Sequence, residues 1–461
     1  MSRLQCITPV DGSVYVERET ASGDQIQQTL SASAKAQKSW RDTPLADRQA
    51  LCSKAVDAFV ARKQEIAEEL SWQMGRPISQ APGEVAGFEE RARHMIAIAE
   101  SALADLEPEA KEGFTRYIKR EPLGVVFVIA PWNFPYLTSV NAIMPALLAG
   151  NTVILKHSAQ TPLCAESLQQ AFTEAGLPEG VFQYLHLSHE DTEAVIQSPL
   201  VDFVAFTGSV PGGEMVERAA AGRFIGVGLE LGGKDPAYVR KDADLQQAIE
   251  TVTDGAMFNS GQSCCGIERV YVDAAIYDEF VAGVTALVSS YRLGRPDDSD
   301  SNLGPLVKTS AADFVRGQIE EAIAAGARAL IDPAGFAADE NGSPYLAPQV
   351  LVDVDHSMRV MTEETFGPVM GIMSVSGDDE AIELMNDSEF GLTAAVFTRD
   401  QNAAIEIGNQ VQTGTWFMNR CDYLDPALAW TGVKNSGRGC TLSSVGFEHL
   451  TRPKSYHLKQ V

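Results

Sequence analysis

The chain has 461 residues, 45 % of them hydrophobic and 21 % charged, a globular composition with room for two or three domains and a core large enough to need no disulfide or metal staple. Acidic residues outnumber basic ones 62 to 36, for a formal net charge of −26, and so acidic a surface repels phosphate backbones and anionic lipids. This argues against nucleic-acid and membrane partners but still allows an anionic dinucleotide to be held by local amides and a lysine.

In chain order, apolar residues three and four apart predict helices over Ser22–Trp40 and Leu45–Leu70, then an Ala-rich amphipathic helix over Glu84–Leu106. The first hundred residues thus read as helix-rich and strand-poor. The Phe114–Arg120 stretch alternates like an exposed strand. From Gly124 a βαβα rhythm begins: strand Val125–Ala130, helix Pro135–Ala149, strand Thr152–Leu155, helix Pro162–Ala175, strands Phe182–Leu185 and Phe203–Phe206, helix Pro211–Ala221, strand Phe224–Leu229. That order predicts an α/β fold with a parallel, doubly wound sheet. A second α/β rhythm runs from about Asp235 to Phe417, with a helix over Ala243–Phe258, a strand over Arg269–Val272 and a helix over Ile276–Ser290. The greasiest run, Gly124–Ala130, is too short to span a bilayer. No repeat or flexible linker separates the segments.

Seven cysteines, Cys6, Cys52, Cys164, Cys264, Cys265, Cys421 and Cys440, are scattered without zinc-ligand spacing. An odd number points to free thiols in a reducing compartment. The Met1–Cys6 start lacks the apolar stretch of a signal peptide, so a cytoplasmic protein without a bound metal is expected.

Six segments carry chemistry. In Phe258-Asn-Ser-Gly261-Gln-Ser-Cys264-Cys265, Gly261 breaks a helix and leaves Cys264 in a loop, where a thiolate needs only a modest local field to become a nucleophile. In Gly228-Leu-Glu230-Leu-Gly-Gly-Lys234, a strand ends in a carboxylate suited to general-base work if partly desolvated. The Gly226-Val-Gly228 pair is only a partial dinucleotide fingerprint, since Leu231 stands at the third glycine. In Ala130-Pro-Trp132-Asn133-Phe-Pro135, two prolines fix a turn at a strand's carboxyl end and present Asn133 as an oxyanion donor. Phe206-Thr-Gly208-Ser209 precedes a helix whose free N–H groups suit a pyrophosphate. Leu155-Lys156-His157-Ser158 and Glu363-Glu364-Thr-Phe366-Gly-Pro368 supply a cation, a carboxylate and an aromatic ring for a nucleotide. Taken singly, each segment has a plainer reading as a core thiol, a turn asparagine or a surface charge; their combination is what carries weight.

Together, in order and spacing, the six segments resemble the aldehyde dehydrogenase superfamily over nearly the whole chain. The resemblance implies an aldehyde dehydrogenase-like fold. Residues 1–105 and 123–232 would form a Rossmann-like cofactor domain, 233–434 a catalytic domain, and 106–122 with 435–461 a small β oligomerisation element of a homodimer or homotetramer. It implies oxidation of an aldehyde to the acid with NAD or NADP, with Cys264 as nucleophile, Glu230 as base for the deacylating water and Asn133 in the oxyanion hole. Trp132, Lys156, Ser158, Gly208, Ser209, Glu364 and Phe366 would bind the cofactor. A non-catalytic member of the fold and an NAD-independent thiol esterase are the alternatives.

Two departures matter. Members often carry an acid two or three residues after the lysine; His157-Ser158-Ala159 has none, so Lys156 or His157 is expected to tolerate a 2′-phosphate and dual cofactor use is favoured. At the substrate mouth, Ala429–Lys434 replaces the common Pro-Phe-Gly-Gly-x-Lys, and Thr138 and Asn141 stand where bulky residues are common. This suggests a polar tunnel for a semialdehyde, with Arg420 either pairing with its carboxylate or bridging to Asp422 or Asp425.

Overall fold

The protein was analysed as a computed structural model, which describes residues 3–461. It opens with a hairpin that the helix-rich reading missed, β1 (Arg3–Ile7) against β2 (Val14–Glu19), antiparallel around a turn at Gly12. Helix α1 (Gly23–Trp40) starts at a capping box in which Ser22 and Gln25 exchange hydrogen bonds. The run expected as one helix over Leu45–Leu70 divides at Arg62 into α2 (Leu45–Ala61) and α3 (Lys63–Met74). Then comes α4 (Pro82–Ala102), and β3 (Phe114–Pro122) leads into the first large sheet.

That sheet is built from β4 (Val125–Ala130), α5 (Pro135–Ala149), β5 (Thr152–His157), α6 (Pro162–Glu174), β6 (Phe182–Tyr184), α7 (His189–Gln197), β7 (Phe203–Thr207), α8 (Val210–Ala220) and β8 (Gly226–Glu230). All six residues of β4 are buried, as expected of a strand covered on both faces by helices. The chain runs outward through β4, β5 and β6, then returns to lay β7 on the other side of β4. The crevice beyond the carboxyl ends of β4 and β7 is therefore a topological switch point, the place where open α/β sheets take ligands. Gly226 and Gly228 lie in β8, and the nearest atom to a Cβ added at Gly226 is on the Phe203 ring, 2.7 Å away. These glycines make room for an aromatic core residue and form no phosphate loop.

After β8 the chain turns through Leu231–Lys234 into a second sheet. Its elements are β9 (Asp235–Val239), α9 (Leu245–Met257), β10 (Ile267–Asp273), α10 (Tyr277–Ser289), α11 (Thr309–Ala324), β11 (Arg328–Ala329), β12 (Gln349–Val352), α12 (Arg359–Thr362), β13 (Val369–Val375), α13 (Asp378–Asn386), β14 (Phe390–Gly391), β15 (Thr393–Phe397), α14 (Gln401–Gly408) and β16 (Thr415–Met418). The strand order is β11-β12-β13-β10-β9-β15-β16, parallel except for β11. Lys234 pins the junction between the sheets: its buried ammonium bonds Glu268 of β10 at 2.6 Å and Thr365 at 2.9 Å.

The C-terminal stretch, expected to act as one small β element, is divided between two neighbours. β17 (Val433–Lys434) pairs with β14, and β18 (Gly437–Arg438) adds an antiparallel edge to the first sheet beside β8. After α15 (Val445–Glu448), β19 (Thr451–Lys459) pairs with β3 over nine residues. Among the described residues no helix is long and apolar enough to cross a membrane.

Candidate active site

The loop carrying Cys264 begins where α9 stops at Met257. Asn259, Ser260 and Gly261 take φ values of 53°, 56° and 71°, left-handed conformations that cost free energy for the first two. Gly261 is required, because a Cβ there would collide with the carbonyl of Gly367. Side chains pay for this strain: Ser260 Oγ donates to the Gly304 carbonyl (2.9 Å), while Gln262 Oε1 accepts from the N–H of Val307 (2.8 Å) and its Nε2 donates to the Asn259 carbonyl (3.1 Å). The result is a half-buried Cys264 opening into a cavity of about 580 Å³, which the more buried Cys265 also lines. The hydrogen bond between the two thiols, and then burial, hold the Cys264 thiol well above its ordinary pKa.

Asn133 sits between β4 and α5 and is 5 % exposed. Its Nδ2 donates to the carbonyl of Gln262 (3.3 Å), two residues before Cys264. Its own carbonyl accepts from Arg76 and from Asn259 Nδ2. Arg76 is buried, pairs with buried Glu84 at 2.5 Å, and lies 4.5 Å from the centre of the Phe134 ring. Glu84 in turn accepts from the N–H groups of Tyr136 and Leu137, each at 2.9 Å, in the first turn of α5, where a carboxylate meets unsatisfied donors and the positive end of the helix. Arg76, Glu84 and Asn259 were not singled out from the sequence. The structure shows a left-handed cap at Gly75 just before Arg76, and a glycine there was the one local signal available.

Glu230 ends β8 and is held by Thr207 Oγ1 (2.8 Å) and Thr441 Oγ1 (2.6 Å). Burial raises its pKa, against those two bonds. It lines a small space of about 30 Å³ next to the Cys264 cavity, and Thr138 lines both. Thr441, 211 positions away in sequence, was invisible to any local pattern.

Around the switch point, Ser209 caps α8 and accepts from the N–H of Gly212 (3.3 Å). The nearest atom to a Cβ at either Gly208 or Gly212 is on the Phe206 ring, 2.7 Å away, so the helix start lies against that ring; Pro211 has no N–H, and those of Gly212 and Gly213 are taken by the Ser209 hydroxyl and carbonyl, so the helix start offers an anion fewer free amides than the sequence suggested. Lys156, at the end of β5, has no acid partner among the described residues, and burial lowers its pKa. Ser158 Oγ accepts from the N–H of Gln160. His157 cannot help bind a phosphate: it is buried, bonded to Pro135 O (3.2 Å) and Thr161 (3.0 Å), and burial pushes its pKa down to about 3, so it is uncharged. Phe366, at φ 52°, meets Trp132 edge to face with centroids 5.7 Å apart. Glu364 accepts from the N–H of Gly233 (3.0 Å), and burial with neighbouring Glu268 raises its pKa to about 7.

The ion pair expected as one alternative for Arg420 is not formed. Its guanidinium stacks 3.6 Å from the centre of the Tyr423 ring, makes no ion pair with Asp422 or Asp425, and lines a separate cavity of about 150 Å³. Cation–π attraction holds the guanidinium on an adjacent ring of the same loop, away from the exposed Asp425 and from Asp422, whose charged form burial disfavours. The arginines in the Cys264 cavity are Arg76 and Arg91.

A strained loop carrying Cys264, the Asn133 amide, the buried Glu230 carboxylate and the crevice beyond β4 and β7 thus converge where the two sheets meet. The sequence pattern of the aldehyde dehydrogenase family matches residues 1–456. The chain belongs to the aldehyde dehydrogenase family. It is 34 % identical to a succinate-semialdehyde dehydrogenase [NADP(+)] 1 of Mycobacterium tuberculosis, over 98 % of this chain and 99 % of that one. It is also 34 % identical to the succinate semialdehyde dehydrogenase [NAD(P)+] Sad of Escherichia coli, over 96 % and 95 %. The crystal structure of succinic semialdehyde dehydrogenase from Streptococcus pyogenes with NADP+ superposes with a TM-score of 0.94 at 28 % identity, covering 99 % of this chain and all of that one.

This aldehyde dehydrogenase is an NAD(P)-dependent oxidoreductase acting on an aldehyde, and a non-catalytic or esterase reading is not favoured. Beyond the carboxyl ends of β4 and β7, Lys156 is a half-buried cation with no ion-pair partner among the described residues.

Proposed function

We propose that this enzyme oxidises a short aldehyde acid, succinate semialdehyde in the first instance, to the dicarboxylate, and that Cys264, Asn133 and Glu230 carry the chemistry. The observation that supports this reading most is the Cys264 thiol opening into a roomy cavity while Asn133 Nδ2 reaches its loop. The names of the relatives supply the substrate class.

In this reading the Cys264 thiol gives its proton to solvent water entering the cavity, and Sγ then bonds to the aldehyde carbon. The oxyanion accepts from Asn133 Nδ2 and the backbone N–H of Cys264. Bound NAD(P)+ supplies the acceptor for the aldehyde hydride, with Lys156 and Ser158 on the adenosine ribose side, Gly208 and Ser209 at the pyrophosphate, and Glu364, Phe366 and Trp132 near the nicotinamide half. A thioester on Cys264 remains. Glu230 exchanges a threonine bond for a water molecule and takes its proton; the water oxygen bonds to the thioester carbon, and Sγ leaves with the acid free.

The division into cofactor domain, catalytic domain and β element belongs to the same proposal, as does assembly into a homodimer or homotetramer through the β3–β19 ribbon. Seven unpaired cysteines support a reducing, cytoplasmic setting. The test is a panel of short aliphatic, aromatic, amino- and carboxy-substituted aldehydes with each cofactor, followed by the absorbance of reduced nicotinamide. Succinate semialdehyde is expected to give the highest kcat/KM, with both cofactors used. A strong NAD preference removes the dual-use reading, and a best substrate without a carboxylate removes the substrate class.

A further inference from the structure

Arg91 lies on α4, lines the Cys264 cavity, and is 7 % exposed. A guanidinium carries five N–H donors, yet only Nη1 is bonded, to the carbonyl of Leu137 (2.6 Å) and to Asn141 Oδ1 (3.3 Å). No carboxylate stands within ion-pair distance of it among the described residues, unlike Arg76, which is matched by Glu84. Beside it, Asn141 is 1 % exposed and its Nδ2 has no partner. Asn141 is one turn beyond Leu137 on the same face of α5, so it sits against the Arg91 guanidinium just behind the cavity wall that Arg91 and Leu137 line. A buried cation without an anion and a buried amide donor without an acceptor are each costly, and both costs vanish when a carboxylate enters.

We infer that Arg91 and Asn141 form the recognition site for the substrate's distal carboxylate, with one oxygen pair facing the open side of the guanidinium and Asn141 Nδ2 donating from the flank. The inference rests on the semialdehyde reading above and assigns to Arg91 the role that the sequence suggested for Arg420. Arg91 and Cys264 line the same cavity, so a short chain whose aldehyde sits at Sγ has the guanidinium on the wall of the space it occupies. The other acids of the cavity do not occupy it. Glu84 belongs to Arg76, and exposed Glu90 accepts from Tyr423 Oη at 2.6 Å. Asp254 is exposed, and Asp422, pushed up to about 7 by burial and then by Asp254, is partly protonated near neutrality. The cavity therefore has an acidic rim and one unmatched cation inside, so it selects an aldehyde ending in a carboxylate, and the guanidinium fork favours bidentate capture over a point contact.

The test compares kcat/KM for succinate semialdehyde and for butanal, its uncharged analogue of equal chain length, in the cofactor-saturated enzyme. Wild type, Arg91→Met, Arg91→Lys and Asn141→Leu are measured side by side. The ratio of the two values is expected to fall about a hundredfold in Arg91→Met, about tenfold in Arg91→Lys and severalfold in Asn141→Leu, carried by KM for the semialdehyde. A purely structural role would lower both substrates together and leave the ratio in place. A ratio within threefold of wild type in Arg91→Met, or in Arg91→Lys where the Met variant does not fold, overturns the assignment of Arg91 alone. A wild type that prefers butanal or 4-aminobutanal overturns the semialdehyde reading and this inference with it.

Discussion

On the nucleophile side of the active site, Asn133, Asn259, Arg76 and Glu84 are joined by buried hydrogen bonds, and the loop before Cys264 is fixed by Ser260 and Gln262. On the cofactor side, Lys156 has no anion, Ser209 is exposed at a helix start, and Glu364 holds a single backbone bond at a raised pKa. The first wall is complete within the protein. The second is left short of partners that an anionic, hydroxyl-bearing ligand supplies. The contrast separates two needs: an attacking atom must be placed to within a fraction of an ångström before the substrate arrives, whereas a cofactor that enters and leaves is best met by groups whose bonds are completed on binding.

The largest effect is expected at the sulfur itself. Cys264→Ala should lower turnover by about 10⁴-fold or more, while leaving the urea midpoint and cofactor affinity close to wild type, because the side chain faces a cavity and supports little packing. Steady-state rates and equilibrium unfolding of the same preparation check both halves. A variant that still reduces cofactor with aldehyde at the wild-type rate would break the reading of this wall.

Next comes the support behind it. Glu84→Ala leaves the Arg76 guanidinium buried without its carboxylate and two amides of α5 without an acceptor. It should cost about 3–5 kcal/mol of stability. It should also reduce kcat for every aldehyde, since Asn133 loses its brace. Urea titration with kinetics on two substrates is the measurement, and an unchanged midpoint would show that the wall is not locked in the way its bonds suggest.

How legible the two walls were in the sequence differs in the same sense. Strand β4 and helix α5 were read at their observed limits, because a six-residue apolar run bounded by prolines leaves little choice. The N-terminal hairpin was missed, since five- and six-residue strands give too few alternations to stand out beside long helices. The cofactor-side candidates could be named because each lies in a short local segment, most of them just beyond a strand end. The braces Arg76, Glu84, Asn259 and Thr441 were not, because the contacts that tie them to the site reach 52 to 211 positions away and no spacing encodes them. Arg420 shows the converse: its local pattern suggested a substrate contact, and a neighbouring aromatic ring took the charge.

On the cofactor wall, Lys156→Met should weaken NADP+ binding by about tenfold, the share of one charge-assisted hydrogen bond. The fold should tolerate it, as no protein acid depends on this ammonium. Titration calorimetry with NADP+ and NAD+ sharpens the point: a lysine on the 2′ position costs NADP+ more than NAD+ when removed, and equal losses would move it elsewhere on the ribose.

The smallest expected effect concerns Glu364. Its pKa in the folded protein is about 7, against 4.5 for an unperturbed glutamate, so the folded state holds a proton that the unfolded chain releases. The stability this contributes is fully present below pH 4.5 and is lost as the pH rises through about 7. Glu364→Gln has no such proton and should show a flatter stability profile over that window, by less than about 1.4 kcal/mol per pH unit. If a ribose hydroxyl donates to this carboxylate, bound cofactor favours its charged form, so the stabilisation that NADP+ gives should grow from pH 5 to pH 8 in wild type and stay level in Glu364→Gln. Unfolding midpoints with and without NADP+ at the two pH values measure it. Parallel profiles for both proteins would mean that Glu364 is already satisfied by Gly233, and that the cofactor wall is more complete than its bonds indicate.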